Sequence, residues 1–459
     1  MKLTFVPIIV VSLFQLTIIP ALAKPSDLTG LSAGIGCKNI TPDTRVKNWV
    51  TGQEYGTVKD SLFVRALVIS GSSEKVAIVS WDLVNAGESA THELRKRIAQ
   101  STDLKAENIL VNATHNHSAP WSPEYEHGLR GNEADPWWVV RYMPPQYQDP
   151  YFQAWMNDLM DQSLAAVKSA LQNLQPVSVW LSRSDISEWV QNRRPRAAVW
   201  GATGSKLPED YNYKHSEWDP KILGGGARFG PLDRTMTVLS FQNQKGDNVA
   251  VLFQMTAHAV SIYPFYDGIS ADWPGLTMKK MGDLMDGQCL FLQGTAGDIN
   301  PGRRGEEAVE AMSDGISKQA WKSHQYAAKI QEEGDLVCQN IKVSVPLTET
   351  GQETTGLTSL PVEIQVINIG PLAIVTLPGE PMTAIGDEIR DQSPFPQTMV
   401  LGYSNGSGIY YVGMPGEKAY GGYEAGEQTN IGTDTAGAIM AQSAISLLNE
   451  IYSKNYPDK

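Results

Sequence analysis

Histidine is scarce here, seven in 459 residues, and two of the seven stand two apart in Thr114-His115-Asn116-His117-Ser118. The run before them, residues 108–113, reads as a short strand, so both imidazoles sit at a strand end, where ligands are often presented. In extended backbone, positions i and i+2 share a face. One ring could then bind a metal ion while the other binds substrate or shuttles a proton; a hydrogen-bonded structural pair is the plain alternative. His258, in Met255-Thr256-Ala257-His258-Ala259-Val260, ends a second strand-like run and reads equally as a ligand or a satisfied core histidine. Two acidic turns follow, with Asp272 in Ala271-Asp272-Trp273-Pro274-Gly275 and Asp298 in the run Gly294-Thr295-Ala296-Gly297-Asp298-Ile299-Asn300-Pro301-Gly302. Glycines there let backbone approach a ligand closely, although Asp298 could simply cap its turn. Glu380, in Leu377-Pro378-Gly379-Glu380-Pro381-Met382, is either a first-turn charge or an oxygen ligand suited to zinc. Tyr410, Tyr411, Tyr420 and Tyr423 follow in a glycine-rich segment, and their chemistry alone gives them no role.

The elements that must position these residues are mixed. Hairpins are expected from 62–70 with 75–81, and from 236–241 with 249–256, each around a polar, glycine-bearing turn. Helical spacing marks 88–98, 151–171, 274–285, 307–330 (interrupted at Gly315), 382–390 and 434–452. Strands are expected at 177–186, 360–368, 372–375 and 399–403. Residues 118–150 and 187–230 read as long irregular loops, which are more often functional than idle. There is no regular βα alternation, which disfavours a TIM barrel or a Rossmann fold. The expected fold is α+β (mixed α/β): two central, largely antiparallel β-sheets flanked by helices, in a single compact domain. Gly224-Gly225-Gly226-Ala227-Arg228 lacks the Lys-Ser/Thr of a phosphate loop.

Residues 1–23 read as a secretory signal peptide, with Lys2, an apolar run over 5–20 and a small-x-small site at Ala21-Leu22-Ala23. A retained membrane anchor is the alternative. Cleavage near Ala23 leaves 24–459 as the folded domain, periplasmic or secreted, with no later run apolar enough to span a bilayer. A hydrophobic content of 42% excludes disorder as the dominant state. Net charge of -13 argues against a nucleic-acid partner. Three cysteines, Cys37, Cys289 and Cys338, cannot form a disulfide framework, and Cys289 in its apolar run reads as a buried inert thiol.

Several words along the chain resemble, in order, those of the N-terminal catalytic domain of the neutral, non-lysosomal ceramidases. They are GIGCKNITPD at 34–43, ATHNHSAP at 113–120, QNRRP at 191–195, TAHAVSI at 256–262, ADWPG at 271–275, GTAGDINPG at 294–302, LPGEPMTAIGDEIR at 377–390 and YVGMPGEKAYGGYE at 411–424. The resemblance implies a zinc amidase with one Zn²⁺ per chain, a further Ca²⁺ or Mg²⁺ being left open. It places the metal ligands at His115, His258, Glu380 and Tyr411. His117 maps to the second histidine of the family's THTHS word, and Arg193 to a substrate-binding arginine. His117 or Tyr423 would then stabilise a developing oxyanion, His117 would protonate the leaving nitrogen, and Asp272 or Asp298 would orient an imidazole from behind.

Two departures bear on the substrate. The family word GDVSPN reads GDINPG here, so its serine position is Asn300, which has no hydroxyl proton to supply. The serine of its NRS word is replaced by Arg194, so that Arg193, Arg194 and Arg196 could form an anion-binding cluster or a solvated basic loop. The family's C-terminal immunoglobulin-like domain is expected to be missing, since the sequence given stops soon after the last helix. The expected substrate is a ceramide or another N-acylated amphiphile, with transient contact at a membrane surface. The alternatives are a glycan or glycan ester, stacked on Trp121, Trp137, Trp138, Trp189, Trp200 or Trp218, and an exported binding protein without catalysis.

Overall fold

The strand Phe63–Ser70 is buried at every position but its two ends, as a strand covered on both faces must be. The fold around it comes from a computed structural model, which describes residues 30–125, 149–198, 227–331 and 336–456. Phe63–Ser70 lies inside a five-stranded sheet, in the order Ile109–Ala113, Lys75–Trp81, Phe63–Ser70, Ser32–Asn39, Gln175–Pro176. A second five-stranded sheet runs Gln288–Gln293, Asn248–Met255, Thr235–Gln242, Ser178–Asp185, Ala328–Gln331. Both are antiparallel except for one parallel edge pair each. The α+β expectation therefore holds. Beyond it, a third sheet of four strands forms from Leu336–Pro346, Ser359–Ile369, Leu372–Thr376 and Gln397–Leu401, again with one parallel edge pair.

The three sheets face a shared core. Leu67, Ile69 and Ile78 of the first pack with Leu239, Leu252 and Leu290 of the second and with Ile367, Ile374 and Met399 of the third. Each outer face carries helices, packed through separate clusters. Glu88–Ser101 and Pro150–Gln172 cover the first sheet, Asp272–Met285 and Glu306–His324 the second, and Thr383–Asp391 and Ala436–Asn455 the third. Pro150–Gln172 begins where the Asp149 carboxylate accepts from the amides of Tyr151 and Phe152, with Pro150 in the first turn. Its buried Phe152, Trp155 and Leu159 then recur at helical intervals, each contributing roughly 1.5–3 kcal/mol by leaving water. Ser32–Asn39 crosses this helix so closely that a Cβ on Gly36 would stand 2.1 Å from the Ala166 carbonyl oxygen.

The edge strands of the three parallel pairs meet. Asn112 Nδ2 donates to Gly402 O, while its Oδ1 accepts from the Gln293 amide at 2.9 Å. Gln293 Nε2 donates to Thr114 O and Ala257 O. Two fully buried amide side chains thus tie together the strand ends from which the site loops leave.

Several local expectations change. The helix expected over 307–330 ends at His324, and Ala328–Gln331 is a strand. Gly315 does not interrupt that helix; a Cβ there would meet the Trp189 ring at 1.9 Å, so the glycine admits the indole. Leu336–Pro346 showed no apolar pattern because it is a half-exposed edge strand. Among the described residues, no helix is long and apolar enough to cross a membrane. The leader 1–23 lies outside the described residues.

Candidate metal centre

His115 follows the edge strand Ile109–Ala113, and its φ of 61° puts it in the left-handed region. The extended i, i+2 geometry expected of the histidine pair is therefore broken. The rings converge through this kink instead, with Nε2 of His115 and His117 3.1 Å apart. Left-handed φ is costly for a residue with a Cβ and concentrates at functional sites. Tyr403, Asn405, Tyr410 and Asp272 share it.

The His115 Nδ1 lies 2.7 Å from Val84 O, and the His258 Nδ1 3.0 Å from Ile299 O. A carbonyl oxygen only accepts, so each Nδ1 must carry a proton, and in the neutral ring Nε2 then presents a bare lone pair. Both lone pairs face Glu380, whose Oε2 is 3.2 Å from His115 Nε2 and 3.4 Å from His258 Nε2. Burial, then the positive charge of Arg193, pushes the fully buried His258 down to about 3, so its imidazole is neutral. A carboxylate packed against two imidazole lone pairs is repulsive unless a cation lies between them. The nitrogen and oxygen donors here are those zinc accepts, and the His115–His117–His258 cluster could hold a metal ion.

His117 differs from its neighbours. Its Nδ1 is buried with no hydrogen-bond partner among the described residues. Burial, and then His115 and His258, drive it well below the ordinary histidine value. Its ring is walled by Trp49 at 5.4 Å and Tyr263 at 5.2 Å between centroids.

Arg193 occupies the opposite wall. Its guanidinium donates to Asn300 Oδ1 at 3.2 Å, to Gly297 O at 3.0 Å and to the Tyr411 hydroxyl at 3.0 Å, and pairs with Glu424. Nη1 also lies 3.5 Å from His258 Nε2. Because a guanidinium only donates, Asn300 must turn its oxygen toward Arg193, which leaves Nδ2 buried and without a partner among the described residues. Tyr411 is placed by the parallel pairing of Glu380–Pro381 with Tyr411–Val412. Burial and then Glu380 hold its phenol protonated, well above 10. Tyr423 is 56% exposed and sets its ring edge-on to Tyr411, at 5.6 Å.

The remaining residues singled out from sequence do other work. Asp272 accepts from the amides of Ser261, Ile262 and Trp273, and burial raises it to about 6. Asp298 accepts from Asn192 Nδ2 and from Thr383 N and Oγ1. Both brace loops around the centre, while the groups that orient the imidazoles are main-chain carbonyls. Arg194 is no part of an anion trap. Its Nη1 donates to Glu417 Oε2 at 2.7 Å and its Nη2 to Glu417 O and Gly421 O, while its Nε lies 3.4 Å from Glu424 Oε2. The side chain of Arg196 lies outside the described residues. Trp121 is buried against Trp49, and Trp189 packs over Gly315 and donates to Gln319, so neither offers a sugar platform. Trp137, Trp138, Trp200 and Trp218 lie outside the described residues. All three cysteines are free, and burial pushes Cys289 up to about 12. Tyr403, Glu424, Trp49 and Tyr263 at the centre went unrecognised in the sequence, since each falls in an ordinary strand end or loop.

The fold resembles two solved structures. The neutral ceramidase from Pseudomonas aeruginosa matches with a TM-score of 0.70 and 17% identity, over 93% of this chain and 75% of that one. A ceramidase complexed with C2 matches at 0.69 and 15%, over 93% of this chain and 76% of that one. No curated protein matches the sequence. The family described as neutral/alkaline non-lysosomal ceramidase, N-terminal, matches residues 49–313. That span carries all three clustered histidines and Arg193, and the fold adds Glu380 to them from outside it. The match covers more than half of the sequence, and with it the chain belongs to the neutral/alkaline non-lysosomal ceramidase family.

Proposed function

We propose that this protein is an exported zinc-dependent amidohydrolase that cleaves the N-acyl amide bond of ceramide or a related N-acylated amphiphile. Membership of a hydrolase family supports the class. The observation that carries the metal reading is the convergence of two carbonyl-locked imidazole lone pairs on the Glu380 carboxylate. His115, His258 and Glu380 would hold the ion, with Tyr411 as the fourth ligand that the family pattern implies. An ion there would act as a Lewis acid on the scissile carbonyl and on a water molecule.

The chain's own groups account for the rest. His117 Nδ1 is buried without a partner among the described residues, and this nitrogen would take a proton from water and pass it to the leaving nitrogen. Arg193 holds Tyr411 and Asn300, and the Asn300 Nδ2 is a spare donor for a substrate oxygen. Trp49 and Tyr263 wall the His117 ring and fix its position. Tyr423 at the exposed rim meets the substrate first. Arg194 and Arg193 share Glu424, so the paired arginines carry no surplus charge that would select an anionic headgroup. A turnover screen of ceramides, N-acyl amino acids and acylated sugars tests this reading. Release of fatty acid from N-acyl sphingoid substrates supports it; activity confined to sugars overturns it.

A further inference from the structure

Tyr403 is almost completely buried, at 2% exposed, and stands two residues past the end of the third sheet's edge strand. Its hydroxyl stands 3.3 Å from Glu380 Oε2, the same oxygen that faces both imidazoles. A carboxylate oxygen only accepts, so the phenol O–H donates to it. Its ring lies against His115, with centroids 4.2 Å apart and planes tilted by 33°. The backbone makes the same two connections. Tyr403 N donates to Gly379 O at 2.9 Å, one residue before Glu380, and Ala113 N donates to Tyr403 O at 3.0 Å, two residues before His115. It does so at a φ of 50°, which an aromatic residue adopts only when its surroundings hold it there.

We propose that Tyr403 is a positioning residue of the metal centre, which locks the Glu380 carboxylate and seats the His115 ring so that the donors are arranged before an ion arrives. The inference rests on the zinc reading above. It follows from geometry that nothing in the family's sequence words encodes, because Tyr403 lies between the words at 377–390 and 411–424. Fixing a ligand in place removes the ordering cost from binding, and partners of this kind typically contribute about 10–100-fold in metal affinity.

The test is zinc affinity of the chelator-stripped protein, measured by competition with a chromophoric chelator, with no substrate present. Tyr403→Phe keeps the ring and removes only the hydroxyl; Tyr403→Met keeps the approximate volume and removes both. Zinc binding about 10-fold weaker in the Phe variant and weaker still in the Met variant, with the melting temperature of the stripped Phe variant within a few degrees of wild type, is the expected result. A purely structural tyrosine would lower the melting temperature and leave zinc affinity unmoved. Affinities of both variants within twofold of wild type overturn the inference while leaving the zinc reading intact. If stripped wild type takes up no zinc, the zinc reading itself fails and this inference falls with it.

Discussion

His115 Nε2 stands 3.2 Å from Glu380 Oε2, although the two residues leave different sheets. Asn112 and Gln293 hold those sheet ends together, and Val84 O and Ile299 O turn the imidazole lone pairs inward. The centre therefore depends on how three edge strands meet, and its residues are expected to divide into metal holders and proton carriers.

That division separates His117 from His258. His258 has a carbonyl partner at Nδ1 and His117 has none among the described residues. His258→Ala is expected to lose stoichiometric zinc and turnover together. His117→Ala is expected to keep its zinc and lose about 10²–10⁴-fold in kcat. Metal analysis beside steady-state kinetics checks both; loss of zinc from the His117 variant would place that ring among the ligands instead.

Arg194 neutralises two buried acids. Arg194→Ala removes the buried ion pair to Glu417 and the hydrogen bond to Gly421 O. Breaking a buried pair in this way typically costs about 3–5 kcal/mol. Arg194→Lys should recover only part of it, because an ammonium cannot reach Glu417 and Glu424 together with a planar fork. Urea unfolding midpoints read the difference; an unchanged midpoint in the alanine variant would show that the segment around Gly421 is held by other contacts.

Asp272 makes stability pH-dependent with a defined sign. Its folded value, about 6, lies above the ordinary 3.8, so the folded state holds this proton more tightly than the unfolded chain. The contribution is present below pH 4, is lost as pH rises from about 4 to about 6, and is flat beyond. At full size it is about 3 kcal/mol. The stability of wild type relative to Asp272→Asn should fall by an amount of that order between pH 4 and pH 7. A difference constant across that range would mean that Asp272 is ionised throughout.

Gly36 allows the closest approach of a strand to a helix, with the Ala166 carbonyl 2.1 Å from where a Cβ would sit. Gly36→Ala must push helix Pro150–Gln172 away from its sheet, at about 1–3 kcal/mol. A lowered melting temperature with unchanged zinc content is expected, since this contact lies on the face covered by helices, away from the metal centre.

Much of this was readable from residue order, and the failures have physical causes. His115, His258 and Glu380 were candidates at strand ends with plain structural alternatives, and it was the family resemblance that set them apart as ligands. The two main sheets showed in their apolar runs, whereas the third was missed through Leu336–Pro346, a half-exposed edge strand without alternation. Arg194 suggested an anion site because its partners, Glu417 and Glu424, are remote in sequence and local charge spacing does not reveal them. Asp272 and Asp298 were expected behind the imidazoles, but tight loops leave amides that need acceptors, and the carboxylates serve those instead. Tyr403 stands two residues past an apolar strand, where a tyrosine ordinarily packs, and only the meeting of sheets brings its hydroxyl to Glu380.

The most direct test of the central claim is fatty-acid release from a short-chain ceramide by one preparation in three states: as purified, stripped by chelator, and stripped then titrated with Zn²⁺. The account requires release that disappears on stripping and returns in proportion to zinc, saturating at one ion per chain. Undiminished release from metal-free protein would contradict it.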